Sequence, residues 1–318
     1  MSRMMEIIPP VDRDLLEAEL TSDKFVRKTN NGSNLIYIFD GNDAPNLMRE
    51  VGRLREVTFR QAGGGTGKEL DVDKYDLAAK PYHQLLVWSP AEREVVGGYR
   101  FIKCNEAPQD ENGNYLLATS GLFNFSDQFK SEYFDKTIEL GRSFVQPKFQ
   151  PGTDSRKGLF SLDNIWDGLG AIVLEYPKVE YYFGKVTMYL HYNQRARDLI
   201  LYFMKHYFQD KENLIRPLQP LPFYTPEHEM EHHFSGLDFK EAFKVLNTNV
   251  RALGENIPPL MNIYMNLSPT MKSFGTALNR SFGEVEETAI LVKIADIYDA
   301  KKERHMASYT PPPERIKN

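Results

Sequence analysis

Glu139 and Arg142 are a carboxylate and a guanidinium set three residues apart in an otherwise largely apolar stretch, Thr137 to Pro147. Charges so placed are costly unless they are paired or used. Ile138, Leu140 and Phe144 recur at even spacing, and Pro147 cannot donate to a ladder, which predicts a strand. A regular strand points residues three apart to opposite faces, so a bulge at Gly141 is needed to bring the two side chains together. Beyond it, a polar loop from Lys148 to Lys157 leads to Ser161-Leu162-Asp163-Asn164, which opens an apolar helix. Strand, polar loop and helix N-terminus together hold phosphate-bearing ligands through free backbone N–H groups.

Three other motifs invite chemistry. Asp71-Val72-Asp73-Lys74-Tyr75-Asp76 gathers carboxylates, but the calcium-loop pattern is absent and a solvated acidic loop is the simpler reading. Gly63-Gly64-Gly65-Thr66-Gly67-Lys68 is not a P-loop: the required first glycine is Ala62, Glu69 replaces the magnesium-binding hydroxyl, and a helix precedes it where a strand should. His228-Glu229-Met230-Glu231-His232 satisfies H-E-x-x-H, the zinc-protease pattern. Its setting between Pro226 and Gly236, with few apolar neighbours, fits a solvated helix better than a metal helix, so no metal is expected.

The elements that must position these residues follow from periodicity. Residues 1–24 read as an N-terminal extension. Leu35 to Phe39 is a strand, and Leu47, Val51, Leu54 and Thr58 make an amphipathic helix from Pro45 to about Gln61, with Arg55 at the edge of its apolar stripe. Gln84–Trp88 and Glu94–Ile102 form a hairpin in which Gly97-Gly98 marks a bulge or a close backbone approach. Leu162 to Tyr176 is a helix, Tyr181 to Met188 a buried strand, Gln194 to Phe208 a helix. A proline-rich segment, 209–258, carries a helix near Phe239–Leu253; a short helix from Leu260 and a strand at 289–295 close the chain, and Pro311-Pro312-Pro313 marks a flexible tail over 301–318. The order predicts an α/β fold, a mixed sheet with helices on both faces.

Composition limits the alternatives. A chain of 318 residues, 41% hydrophobic, can bury a sizeable core, and a net charge of −5 argues against a nucleic-acid binder. One cysteine, Cys104, fits a reducing compartment. No signal peptide and no bilayer-length apolar window are visible, so a cytoplasmic protein, soluble or peripheral to a membrane, is expected.

Arg55 with Phe59, Asp71-x-Asp73-x-Tyr75-Asp76, Val95-Val96-Gly97-Gly98-Tyr99-Arg100 and Glu139-Leu140-Gly141-Arg142-Ser143-Phe144-Val145 occur in the order seen in acyl-homoserine lactone synthases. They resemble more closely the ornithine-acyl-carrier-protein N-acyltransferases, often labelled hemolysin-like, of the GNAT superfamily. The resemblance covers about residues 25–300 and treats 209–258 as a family-specific insertion. It implies a GNAT-like, mostly antiparallel twisted sheet. The lactone-synthase tryptophan after the first helix is absent and Asp71 stands for the usual glutamate, which favours amino-acid N-acylation. The GNAT pyrophosphate motif is also missing after the central strand, which favours a single-phosphate pantetheine arm, and so acyl carrier protein over coenzyme A.

The activity so implied moves a long-chain acyl group, plain or 3-hydroxylated, from acyl carrier protein to the amine of ornithine or glycine, as the first step of aminolipid synthesis. The acyl-phosphopantetheine of the carrier protein, or acyl-CoA, is a co-substrate; no permanently bound cofactor is implied. Glu139 is then the general base, and backbone N–H groups at Phe144, Val145 and Gln146 bind the thioester oxygen. Arg142 and Arg100 grip the substrate carboxylate. Asp71, Asp73 and Asp76, with Arg55 behind them, hold the amine or order the arginines. Lys148, Arg156 and Lys157 meet the pantetheine phosphate and the acidic carrier, with Phe123 and Phe125 along an acyl channel. A purely structural ion-pair network is the alternative for the charged set. Acetyl transfer from acetyl-CoA to a small amine, or a non-catalytic hemolysin-like membrane protein, are the alternatives for the whole chain.

Overall fold

The computed structural model describes residues 4–151 and 160–317. In chain order the elements are α1 (Arg13–Glu19), β1 (Phe25–Lys28), β2 (Leu35–Asp40), α2 (Pro45–Gln61), β3 (His83–Ser89), β4 (Glu94–Lys103), β5 (Phe123–Phe125) and α3 (Asp127–Glu132). There follow β6 (Thr137–Val145), α4 (Ser161–Glu175), β7 (Tyr181–Met188), α5 (Gln194–Tyr207), β8 (Ile215–Pro217), α6 (Glu227–Phe234) and α7 (Phe239–Ala252). The last are α8 (Pro259–Met265), β9 (Lys272–Asn279), β10 (Val285–Lys293) and α9 (Asp299–His305). The predominantly antiparallel α/β fold expected from the sequence is the one observed.

Where a single domain over 25–300 was expected, the chain forms two compact units, residues 1–118, 134–180 and 299–318 in one, 119–133 and 181–298 in the other. In the first, five antiparallel strands run in the order β1-β2-β3-β4-β6. Arg55 of α2 donates to Gln84 on β3, whereas a side chain at Gly168 of α4 would strike Leu85, the next residue. Successive strand residues face opposite sides, so α2 and α4 cover opposite faces of this sheet.

The register then says which side chains share the α2 face. Gln84 is paired with Arg100, and Ile102, two residues on, is paired with Glu139. Gln84, Arg100 and Glu139 therefore project together toward α2. Gly98 lies opposite Phe144 but Arg100 opposite Gly141, so β6 carries one extra residue between them. That is the expected bulge, with one correction: the residue in the left-handed region is Arg142, at φ 50°, and not Gly141. The Gly97-Gly98 reading also holds, since a Cβ at either glycine would lie 2.3 Å from the Phe144 carbonyl oxygen or 2.2 Å from that of Leu85.

Both ends of the chain depart from expectation. The segment read as an N-terminal extension folds as α1, and its Glu19 carboxylate caps α2, accepting from the backbone N–H groups of Asn46 at 3.0 Å and Leu47 at 2.8 Å. α2 has no capping side chain of its own, so its free N–H groups explain why a carboxylate from elsewhere settles there. The C-terminal segment, expected to be flexible, is tied down: Arg315 pairs with the buried Glu175 at 2.6 Å and donates to Phe25 O at 3.1 Å. Local composition marked the three prolines, but these long-range bonds leave no local signal.

The second unit holds β7-β10-β9, antiparallel throughout, and the two-stranded β5–β8 pair. β9 went unrecognised because Lys272-Ser273-Phe274-Gly275-Thr276-Ala277-Leu278-Asn279 lacks a clean alternation of large apolar residues. No helix among the described residues is long and apolar enough to cross a membrane.

Candidate active site

The candidate site lies within the first unit, on the α2 face of its sheet. Its charged ring is delivered by three elements and the segment joining α2 to β3. Gly52 in α2 lets that segment come close, since a Cβ there would sit 2.5 Å from Val72; the Asp71 N–H then donates to Gly52 O at 2.9 Å. Asp73 shapes the following turn by accepting from the N–H of Tyr75 at 2.9 Å and of Asp76 at 3.3 Å.

The ion pairs interlock. Arg55, fully buried, reaches Asp76 at 3.3 Å. Arg100 donates to Asp73 at 2.9 Å and to Asp76 at 3.1 Å. Arg142 lies against Asp71 at 2.7 Å and Asp73 at 3.7 Å. Gln84 donates to Asp76 at 3.1 Å and accepts from Arg55, tying β3 into the ring. Three guanidinium groups thus balance three aspartates. Glu139, 1% exposed, adds a fourth carboxyl that accepts from the Tyr82 hydroxyl.

Burial works against ionised Asp76, but the guanidinium groups of Arg100 and Arg55 outweigh it and hold this carboxyl well below the usual range. A depressed native pKa stabilises the fold above the unfolded value, near about 3.9 for aspartate, and the contribution is lost as pH falls further. Urea unfolding between pH 7 and pH 2 is therefore expected to show stability declining below about pH 4, with the decline reduced in Asp76→Asn. Equal declines in both proteins would refute the assignment. Burial, followed by the nearby Glu139, pushes both the Tyr82 phenol and the Cys104 thiol well above their ordinary values.

The structure brings Arg55, Asp71, Asp73, Asp76, Arg100 and Arg142 into one network and sets Glu139 beside it on the same face. It does not support every expected role. Arg100 is buried and already paired with Asp73 and Asp76, which places it to order the acidic segment. The openings are at Asp73 and Arg142, whose side chains are 27% and 13% exposed. The Gln146 N–H, expected among the oxyanion donors, donates to Val96 O at 3.0 Å, and its side-chain amide donates to Val95 O. Lys148 pairs with Glu92 at 3.1 Å and Glu94 at 3.0 Å. Arg156 and Lys157 lie outside the described residues. Phe123 and Phe125 are buried in the second unit, where Phe125 packs on Phe129 and Phe183.

Sequence reasoning missed Tyr82 and Gln84. Gln84 was legible as a polar residue in an apolar strand, while Tyr82, next to Pro81, carried no such mark. The H-E-x-x-H segment forms α6, with His228 and His232 exposed and Glu229 3.8 Å from Arg195. No group of three or more His, Cys, Asp or Glu side chains suited to a metal occurs among the described residues.

Residues 54–156 match the family model described as "Acetyltransferase (GNAT) domain", and every residue of the network lies in that range. Fold and match define the class: this is an acyltransferase of the GNAT superfamily. Two curated relatives, each called glycine N(alpha)-acyltransferase, come from Bacteroides thetaiotaomicron and Phocaeicola vulgatus. They are 53% and 51% identical over 306 residues, covering 96% of this chain and 91% and 94% of theirs. The chain belongs to the same family of N-acyltransferases. The solved AHL synthase LasI aligns with 82% of this chain and 89% of its own at 12% identity and a TM-score of 0.34, too distant a likeness to carry weight.

Proposed function

We propose that the enzyme transfers a long-chain acyl group from the phosphopantetheine thioester of acyl carrier protein to the amine of glycine. The amine nitrogen attacks the thioester carbonyl carbon, the new C–N bond forms, and the C–S bond breaks. Glu139 takes the proton lost by the amine, through a water since it is buried, and the leaving thiolate is reprotonated to the thiol. Arg142, the part-exposed guanidinium of the ring, pairs with the glycine carboxylate, and Asp73 with its ammonium before deprotonation. Backbone N–H groups near Phe144 and Val145 remain the candidates for the oxyanion.

The observation that carries this reading is a buried acid, Glu139, on the same face of the sheet as the ring that holds the part-exposed Arg142 and Asp73, inside the segment that matches the acyltransferase family. Glycine is favoured over ornithine because the relatives are named for glycine. The uncapped first turn of α4 suits the single phosphate of pantetheine, and the absent pyrophosphate motif disfavours coenzyme A. The product, an N-acylated amino acid, is the entry to an aminolipid.

The test is turnover of palmitoyl-acyl carrier protein and palmitoyl-CoA against a panel of amino acids, read by mass spectrometry. N-palmitoylglycine as the main product, with the carrier thioester preferred, is expected. Preferred acylation of ornithine would overturn the acceptor, preferred use of the CoA thioester the donor, and no amide with any pair the reading as a whole.

A further inference from the structure

Tyr82 is buried just ahead of β3. Its backbone N–H donates to Tyr75 O at 2.9 Å, locking it to the acidic segment. Its hydroxyl accepts the Ala118 N–H at 2.9 Å and donates to Glu139 Oε2. A backbone N–H only donates, so the Ala118 bond leaves the phenolic proton to be directed at Glu139. An ionised carboxylate accepts such a bond more strongly than a protonated one. The groups facing this pair are the Arg100 guanidinium, 5.1 Å from the centre of the Tyr82 ring; the Tyr75 ring, edge-on at 5.8 Å; and the buried Cys104 thiol. Of these only Arg100 is charged, and it is a cation.

We propose that Tyr82 is the positioning residue of the acyl transfer, fixing the Glu139 carboxylate in place and favouring its ionised form. This rests on the reading of Glu139 as the base. The phenol donates to Glu139 Oε2 from the acidic-segment side of the sheet. Its burial and its second hydrogen bond leave the ring one orientation, so the aim of the carboxylate is set by the backbone at Ala118 and at Tyr75.

The full-length enzyme is assayed with glycine and palmitoyl-acyl carrier protein from pH 5 to pH 9. In Tyr82→Phe, the acidic limb of kcat/KM is expected to move up by about one pH unit, the worth of a hydrogen bond to a charged group. kcat should fall about tenfold through lost aim, with KM for glycine little changed. Replacement of Tyr82 by 3-fluorotyrosine, whose phenol is a stronger donor, should move the limb the other way. A folded Tyr82→Phe enzyme with the wild-type limb overturns the proposal. Should that variant not fold, an unmoved limb in the fluorinated enzyme overturns it instead. Glu139→Gln separates the two readings: if it is inactive while the limb stays put, only the role of Tyr82 falls, and if it is active, both fall.

Discussion

Glu139→Gln is expected to lower kcat at least about a hundredfold, the usual worth of a positioned general base, while leaving the unfolding midpoint near the wild-type value. The amide matches the carboxylate in shape and still accepts from the Tyr82 hydroxyl, so the packing between β4, β6 and the Cys104 turn is kept. What is lost is the ability to take a proton. KM for glycine should change little, because the zwitterion is assigned to Arg142 and Asp73. Steady-state assays with circular dichroism on the same samples check both halves. A loss of less than tenfold would move the base elsewhere, and Asp73, the part-exposed carboxylate of the ring, would be next in line.

Asp76→Ala is expected to have the largest effect on stability, about 3–5 kcal/mol, as found when one member of a buried charge cluster is removed. Asp76 is inaccessible and is the partner shared by Arg55 and Arg100. Its removal leaves two buried guanidinium groups with one carboxylate, Asp73, between them, since Gln84 is neutral. Such a loss is a large share of the ordinary 5–15 kcal/mol of a folded chain. Urea unfolding measures it, and a change under about 1 kcal/mol would mean that water reaches these guanidinium groups.

The two variants bear on how much of the site was legible. Periodicity placed α2 from Pro45 to Gln61, the β3–β4 hairpin and β6 with near-correct limits, because each has a strong apolar pattern. Glu139 and Arg142 stood out because charges inside such a pattern are costly, while Asp71, Asp73 and Asp76 read locally as a solvated loop. The division of labour among the charges did not stand out. Arg100 and Arg142 look alike in sequence, and only the register and the bulge reveal that one is sealed against Asp76 while the other reaches the surface. Tyr82 stayed hidden for a related reason: its importance lies in two hydrogen bonds, to residues 36 and 57 positions away. The packed C-terminal segment repeats the point, since Arg315 meets Glu175 across 140 residues.

That last contact has a bearing on biosynthesis. The unit containing the charged network is assembled from three separate stretches, the third being residues 299–318, whereas most of the other unit is a continuous run. Residues 181–298 are synthesised before the stretch that closes around Glu175. The unit that begins the chain thus cannot close until its last stretch has been made, a departure from simple N-to-C co-translational folding.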